Sequence, residues 1–178
     1  MARYVALLRG INVGKAKRVA MADLRALLES LGYTEVRTLL NSGNVVFTSR
    51  AGSTSGHAKT IQAAIAKELG VSCLVIVKSA QEMAAVVAGN KLGATANDPS
   101  RVLVALCSDA KAFARLEALA KAEWGAERID VGKEAAYVWC ANGILESKAA
   151  VALLKGLADL GTTRNWGTVQ KLHALLSS

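Results

Sequence analysis

The chain has few aromatic residues and a single proline, and it lacks the long apolar runs of membrane proteins. Aromatic residues make up 4% of its 178 residues, which is too few for a surface that stacks successive bases of a single strand. No apolar run is long enough to span a bilayer, and the N-terminus does not resemble a signal peptide. Because 52% of the residues are hydrophobic and 20% are charged, the chain can bury a substantial core. We therefore expect a folded cytoplasmic protein that contacts no membrane.

Reactive and metal-binding patterns are also scarce. Cys73, Cys107 and Cys140 are widely spaced, each inside an apolar stretch, and they lack metal-ligand spacing. This predicts buried, reduced thiols and no metal site. Only His57, in a polar loop region, and His173, in the last predicted helix, could act as a base, and no HExxH, paired-carboxylate or Cys–His pattern accompanies them. Hydrolase chemistry is therefore poorly supported, and we expect no cofactor.

Positive charge is in excess. The formal net charge is +8 and the sequence pI is about 9.6, which favours nucleic acid, phosphorylated metabolites or an acidic protein as partners. A soluble protein with a solvated basic surface has the same composition. Charge alone therefore leaves both interpretations open.

Hydrophobic periodicity predicts the order β-α-β-β-α-β in the first half of the chain. Residues 4–8 form a continuously apolar strand that suits the centre of a sheet. The other predicted elements are strands at 36–40, 45–48 and 71–77 and helices at 21–31 and 61–69. Gly32 and Gly70 are expected to end the two helices, and a short helix follows around Met83. This order is that of the split βαβ, or ferredoxin-like, fold.

The same order begins again after a predicted linker at residues 90–100, which holds Pro99. Its elements are a strand at 102–106, a helix around Phe113, Leu116 and Leu119, strands at 128–131 and 135–140, and a helix at 150–157. No closing strand is evident, and an extra helix follows. We therefore predict an α+β protein of two ferredoxin-like subdomains in tandem, residues 1–90 and 91–178. The second is predicted to end in a helix that carries the motif TTRNW (162–166).

A glycine-containing basic loop, RGINVGKAKR at residues 9–18, follows the first strand. It is not a P-loop, because only three residues separate Gly10 from Gly14 and Ala16 stands where Ser or Thr would hold magnesium. The loop nevertheless concentrates positive charge beside a helix start, whose backbone N–H groups attract anions. We predict an anion site there, with a solvated basic loop as the alternative. Its candidate residues are Arg9, Asn12, Lys15, Lys17 and Arg18.

A second polar motif, at residues 162–166, precedes the last helix. Thr162 or Thr163 is expected to N-cap that helix, and Trp166 to begin its buried stripe. Thr163, Arg164 and Asn165 are candidates to orient a phosphate or carboxylate. The alternative for Arg164 is an ion pair with a carboxylate across the domain junction.

A third polar group, NSGN at residues 41–44, separates the second and third predicted strands. Because Asn and Gly tolerate positive φ, a hairpin turn explains the whole group. Ser42 and Asn44 are also candidates for contact with a ligand at the end of the sheet.

Four segments together resemble one bacterial family: LLRGINVG (7–14), VAMADLRALLESLGY (19–33), NSGNVVFTS (41–49) and TTRNWGTVQKL (162–172). It is the uncharacterised family catalogued as domain of unknown function 1697. The resemblance implies an α+β protein of two ferredoxin-like subdomains, and it implies no established activity. Lys15 stands where the family commonly has a second glycine, Ala20 where it has a proline and Asn41 where it has a glutamine. The residues that match are Arg9, Asn12, Ser42, Asn44, Arg164 and Asn165.

We hypothesise that the basic loop and the TTRNW motif converge on a cleft between the subdomains that binds a phosphorylated small molecule or nucleic acid. The alternatives are an enzyme acting on a phosphorylated substrate and a protein-interaction module that forms a homodimer. The same order of elements occurs in RNA-binding RRM domains, which stack bases on several aromatic residues. Because only Phe47 lies on the third predicted strand, RRM-type binding is not expected.

Overall fold

The first sheet is built around a strand that is apolar on both faces. Strand β1 (Ala2–Leu8) lies between β3 (Asn44–Ser49) and β4 (Val75–Ser79), and β2 (Thr34–Leu39) pairs with the outer side of β3. All pairings are antiparallel, and the order is β2-β3-β1-β4. Residues 5–8 are fully buried, because a central strand of a covered sheet has no solvent-exposed side. This is the predicted ferredoxin-like order.

Two helices cover one face of this sheet. Helix α1 (Met21–Ser30) and helix α2 (Thr54–Leu69) bury side chains three or four residues apart, so that each helix presents one apolar face to the sheet. These side chains are Leu24, Leu27, Leu28, His57, Ile61 and Ile65. Ser53 caps α2 by accepting a hydrogen bond from the Gly56 N–H, and Gly70 ends the helix in the left-handed conformation, with φ +67°. Helix α3 (Ala80–Ala88) follows β4.

The second sheet repeats the same order with different residues. Strand β5 (Val102–Cys107) lies between β7 (Ala136–Trp139) and β8 (Gly161–Asn165), and β6 (Arg128–Val131) pairs with β7. The helices of this half are α4 (Lys111–Ala114), α5 (Glu117–Lys121), α6 (Lys148–Leu157) and α7 (Trp166–Ser177). Short 3-10 turns lie at Pro99–Arg101 and Ile144–Glu146. The predicted fold class, two ferredoxin-like subdomains in tandem, is confirmed.

The second sheet does have a closing strand, contrary to prediction: the first four residues of the TTRNW motif lie in β8, and only Trp166 belongs to the last helix. Thr162, Thr163 and Arg164 pair with residues 106, 105 and 104 of β5, so neither threonine caps the last helix. Asn165 does so instead, because its Oδ1 accepts a hydrogen bond of 2.8 Å from the Thr168 N–H. The segment lacks the apolar alternation of a typical strand, but its β-branched threonines suit extended backbone.

The helix predicted around Phe113 is also divided. Its residues form two short helices, α4 and α5, with Leu116 between them. The Leu116 N–H bonds the Phe113 carbonyl at 2.9 Å, and the Leu119 N–H bonds the Leu116 carbonyl at 3.0 Å. These tighter i→i+3 bonds interrupt the regular helix.

The computed structural model describes residues 1–93 and 97–178; residues 94–96 of the predicted linker lie outside the described residues. These residues fall into two compact units, one of Met1–Gln81 with Ala174–Ser178 and the other of Glu82–His173. The boundary predicted after residue 90 stays a prediction. Within the described ranges, no helix combines the length and the apolar character needed to cross a membrane.

Ala158 provides a test of backbone strain at the end of α6. It has φ +48° and ψ −124°, a conformation that costs a residue with a Cβ about 1–3 kcal/mol. Because Ala158 is exposed, Ala158→Gly loses little packing, and we expect it to raise the free energy of unfolding in urea by about 1 kcal/mol. The control is Ala26→Gly, at an exposed interior position of α1, which should lower this free energy by about 1 kcal/mol. A decrease in both variants would contradict the assignment of strain to Ala158.

Candidate functional site

One asparagine side chain shapes the loop between β1 and α1. The Asn12 Nδ2 donates to the Val19 carbonyl at 2.8 Å, and the Asn12 Oδ1 accepts from the Val19 N–H at 2.8 Å. The same Nδ2 donates to the carbonyl of Asn41, in the β2–β3 turn, at 2.7 Å. The Asn12 backbone N–H closes the loop on the Lys17 carbonyl at 3.0 Å. Since its amide is engaged within the chain, Asn12 positions the loop.

The path of this loop depends on residues with positive φ. They are Gly10, Asn12, Gly14 and Lys17, with φ between +52° and +68°. Glycine and asparagine enter this region readily, whereas Lys17 does so at a cost. The loop is therefore held in one shape by its own hydrogen bonds together with the burial of Ile11 in the core.

Three of the four cations predicted at this site lie on the outside of the loop. Lys15, Lys17 and Arg18 are exposed. Arg18 Nη1 lies 3.3 Å from the Gly14 carbonyl and 3.5 Å from the Asn12 carbonyl, which keeps the guanidinium close to the loop. Arg9 is half-buried, and its backbone N–H bonds the Leu74 carbonyl at 2.9 Å.

An open cavity of about 480 Å³ lies beside the loop. Asn12, Arg18 and Asn41 line it together with Ala20 and Asp23 at the start of α1. Ala20 is the N-cap residue of α1 and supplies no side-chain hydrogen bond, so the first N–H groups of the helix are left to water or a ligand. Asp23 adds a carboxylate in the first turn. The cavity thus combines one guanidinium, one carboxylate and a helix N-terminus.

The turn at residues 41–44 is structural, as the hairpin interpretation predicted. Asn44 is buried, and its Nδ2 donates to the Leu39 carbonyl at 2.8 Å and to the Ser42 Oγ at 3.0 Å. Gly43 has φ +88°, and a Cβ there would lie 2.8 Å from side-chain atoms of Leu8 and Ile11. Only glycine fits this close approach. A ligand contact by Ser42 or Asn44 stays a prediction.

Arg164 is buried within the second unit. It is 8% exposed, and its Nη1 donates to the Thr162 Oγ1 at 2.9 Å and to the Thr163 carbonyl at 2.8 Å. Burial lowers the pKa of Arg164 to about 10, so the guanidinium stays charged at neutral pH. Thr163 is half-buried on the same strand and Asn165 caps α7. The predicted convergence of this motif with the basic loop stays a prediction.

A buried group that the sequence analysis placed wrongly is His57. It lies in α2 rather than in a loop, packed among the rings of Tyr4, Tyr33 and Phe47 at centroid distances of 4.7, 5.3 and 5.7 Å. Its Nδ1 is 2.9 Å from the Tyr33 hydroxyl, and among the described residues its Nε2 has no hydrogen-bond partner. Burial lowers the pKa of His57. The spacing of His57, Ile61 and Ile65 is the signal that could have placed it on the buried helix face.

The cysteines are buried thiols, as predicted. Burial raises the pKa of Cys73 and of Cys140, which disfavours the nucleophilic thiolate. In the parts of the chain that the structure describes, no three His, Cys, Asp or Glu side chains are grouped so that they could hold a metal ion.

Comparisons with known proteins identify relatives of the whole arrangement. The family described as "Protein of unknown function (DUF1697)" matches residues 1–137. The solved structure titled "The structure of conserved bacterial protein SP0830 from Streptococcus pneumoniae" has a TM-score of 0.81 and 26% sequence identity to this chain, with 98% of each chain covered. No curated protein matches the chain. Neither description states an activity.

The first prediction from the site concerns Asn12. Asn12→Ala removes three side-chain hydrogen bonds. It also leaves alanine, which has a Cβ but no polar side chain to bond the nearby backbone, at φ +56°. We expect the free energy of unfolding to fall by about 2–3 kcal/mol. Asn12→Gly loses the same hydrogen bonds but accepts the backbone, so its loss should be smaller by about 1 kcal/mol. Urea denaturation measures both, and stability of Asn12→Ala equal to that of the wild type would refute the role of this side chain.

The second prediction concerns pH. Because the pKa of His57 in the folded chain lies below its ordinary value of 6.5, the unfolded chain binds the proton more readily, and stability is lost as pH falls. The His57→Phe variant removes this titration while keeping a ring among Tyr4, Tyr33 and Phe47. Between about pH 7 and pH 5, the wild type should lose more unfolding free energy than the variant. The two proteins differ only at residue 57, so parallel pH profiles would show that His57 is not the group responsible.

Proposed function

The chain belongs to the DUF1697 family of proteins of unknown function, and we propose that it binds an anionic ligand through the loop between β1 and α1. The observation that supports this most is a loop of fixed shape that holds exposed cations beside an open cavity. A preorganised site spends less binding energy on ordering its own groups. The ligand class is a phosphorylated small molecule or nucleic acid.

The groups at the cavity favour a phosphate over a bulky polyanion. The volume of about 480 Å³ lies within the roughly 300–1,000 Å³ of small-molecule sites. Backbone N–H groups at a helix start and a nearby guanidinium are the usual partners of a phosphate. The Asp23 carboxylate would repel a bound phosphate, so we expect the phosphate to bind at the Arg18 side of the cavity.

A second candidate is a protein-interaction role at the same loop. Val13 is 74% exposed at the loop, beside Lys15, Lys17 and Arg18. An apolar side chain surrounded by cations suits an acidic protein surface with one apolar contact. Val13→Ser would weaken such a complex and leave phosphate binding unchanged.

We also propose a cytoplasmic location. Its support is the set of buried thiols at Cys73, Cys107 and Cys140, which suits a reducing compartment.

The anion site is tested with adenosine monophosphate, inorganic pyrophosphate and short labelled RNA and DNA. Backbone amide shifts in NMR follow the small ligands, and fluorescence anisotropy follows the nucleic acids from about 50 to 200 mM salt. The variant Lys15→Ala/Lys17→Ala/Arg18→Ala should bind the ligand with an affinity at least about tenfold lower than that of the wild type. The matched control Arg25→Ala/Lys59→Ala/Lys67→Ala removes the same charge from exposed positions of α1 and α2 and should retain binding. Arg164 is left intact in both variants, because removing a buried guanidinium changes packing as well as charge.

The outcomes separate the ligand classes. If the nucleic acids bind, the salt slope should fall by about 0.9 for each phosphate that the loop variant no longer neutralises. If only the small phosphates bind, nucleic acid is removed from the proposal. Equally weakened binding in the loop variant and the control would attribute binding to diffuse charge, and absence of binding by every probe at low salt would overturn the proposal.

A further inference from the structure

The first unit contains a second polar cavity, away from the basic loop. It has a volume of about 270 Å³ and is lined by Arg3, Glu35, Arg37, Val46, Thr48, Leu175 and Ser178. The strand residues among them lie on the sheet face opposite to α1 and α2, since their neighbours Tyr4, Val36, Val45 and Phe47 belong to the core under those helices. None of these residues belongs to the sites predicted from sequence.

Strand register brings the two arginines to the same place. Arg3 pairs with Thr48 and Arg37 pairs with Val46, and both partners lie on β3, two residues apart. The arginines therefore sit on opposite sides of β3, separated by roughly two strand spacings of 4.8 Å and one two-residue step of about 6.7 Å. Side chains of this length can reach one ligand placed over β3.

A bulge in β2 places a carboxylate in the same cavity. The register of β2 with β3 shifts between Thr34 and Arg37, and Glu35, within the shift, has φ +52°. A bulge re-aims the side chain that it carries. Glu35 Oε2 accepts a hydrogen bond of 2.7 Å from the Thr48 Oγ1, and Thr48 is buried. The carboxylate is thereby held over β3.

The opposite charges in this cavity are close but do not neutralise one another. Among the described residues, neither Arg3 nor Arg37 has a nitrogen within 4.0 Å of a Glu35 oxygen. Arg3 reaches only the Leu176 carbonyl, at 3.5 Å, and Arg37 makes no side-chain hydrogen bond or ion pair with any residue that the structure describes. The guanidinium donors of Arg37 are therefore available, and space remains between them and the carboxylate.

We propose that this cavity binds a small zwitterion, a molecule with one anionic group and one amine. Arg37 and Arg3 would take the anionic group, for which a guanidinium offers paired donors, and Glu35 would take the amine. Val46 and Leu175 supply apolar walls for the atoms between the two charges. A volume of about 270 Å³ lies just below the roughly 300–1,000 Å³ of drug-sized sites, which suits a ligand about the size of an amino acid. This site is separate in place and in ligand from the anion site at the loop.

The test is an NMR titration of the full chain with glycine, β-alanine and 4-aminobutyrate, which differ in the distance between their charges. Acetate and methylammonium, each carrying one of the charges, are titrated at the same ionic strength. At least one zwitterion should give saturable shifts at the amides of Arg37 and Thr48, with an affinity about tenfold or more above that of either single-charge ion.

Two variants test which side chain binds each charge of the zwitterion, and a third variant serves as a control. Arg37→Gln should weaken the best zwitterion about tenfold or more. Glu35→Gln keeps an oxygen acceptor for Thr48 but removes the carboxylate, so zwitterion affinity should fall to that of acetate. Arg25→Gln, at an exposed position of α1 on the other side of the sheet, should change nothing. Each variant's own spectrum verifies its fold.

Three results would overturn the proposal. The first is the absence of saturable shifts at the sheet with every zwitterion. The second is binding that Arg37→Gln leaves intact. The third is acetate binding as tightly as the zwitterions, which would make the cavity a simple anion site.

Discussion

The hydrogen bonds of the Asn12 carboxamide join three segments of the first unit. They tie the loop after β1 to the entry of α1 at Val19 and to the β2–β3 turn at Asn41. A loop with several positive-φ residues is costly to order, and paired amide bonds offset that cost. Because the polar groups of Asn12 point inward, the cations of the loop are left outside. The display of Lys15, Lys17 and Arg18 is therefore a consequence of the internal bonding.

The hydrogen bond from Asn12 to Asn41 also depends on the shape of the β2–β3 turn. Gly43 lets the backbone approach Leu8 and Ile11 so closely that no Cβ would fit, and this approach brings the Asn41 carbonyl within reach of Asn12. Asn44 closes the turn from inside by bonding the Leu39 carbonyl. The side chains of Asn12 and Asn44, both predicted to contact a ligand, are thus engaged in hydrogen bonds that fix the basic loop and the β2–β3 turn.

The fold could be predicted from sequence because its main strands and helices carry clear apolar periodicities. Residues 4–8 indicated the central strand, and Gly70 ends α2 where predicted. Strand β8 was missed because its residues are polar, so that its position depends on pairing with β5 rather than on its own pattern. His57 was misplaced because polar neighbours concealed a helical spacing. The cavity at Arg3, Glu35 and Arg37 could not be predicted, because it depends on strand register and on a bulge that no residue type in β2 indicates.

The most conspicuous polar motif is also the one with the least access to solvent. Arg164 is buried and bonds its own strand, and Asn165 caps the helix that follows. Burial lowers the pKa of Arg164 to about 10, which still leaves the guanidinium charged at neutral pH. In this motif, a high density of polar residues therefore marks a place where the chain satisfies its own backbone groups. We propose that ligands bind instead at cations that the fold leaves exposed. The sequence already indicated Lys15, Lys17 and Arg18 in the basic loop, whereas Arg37 looks like ordinary surface charge until strand register places it at a cavity.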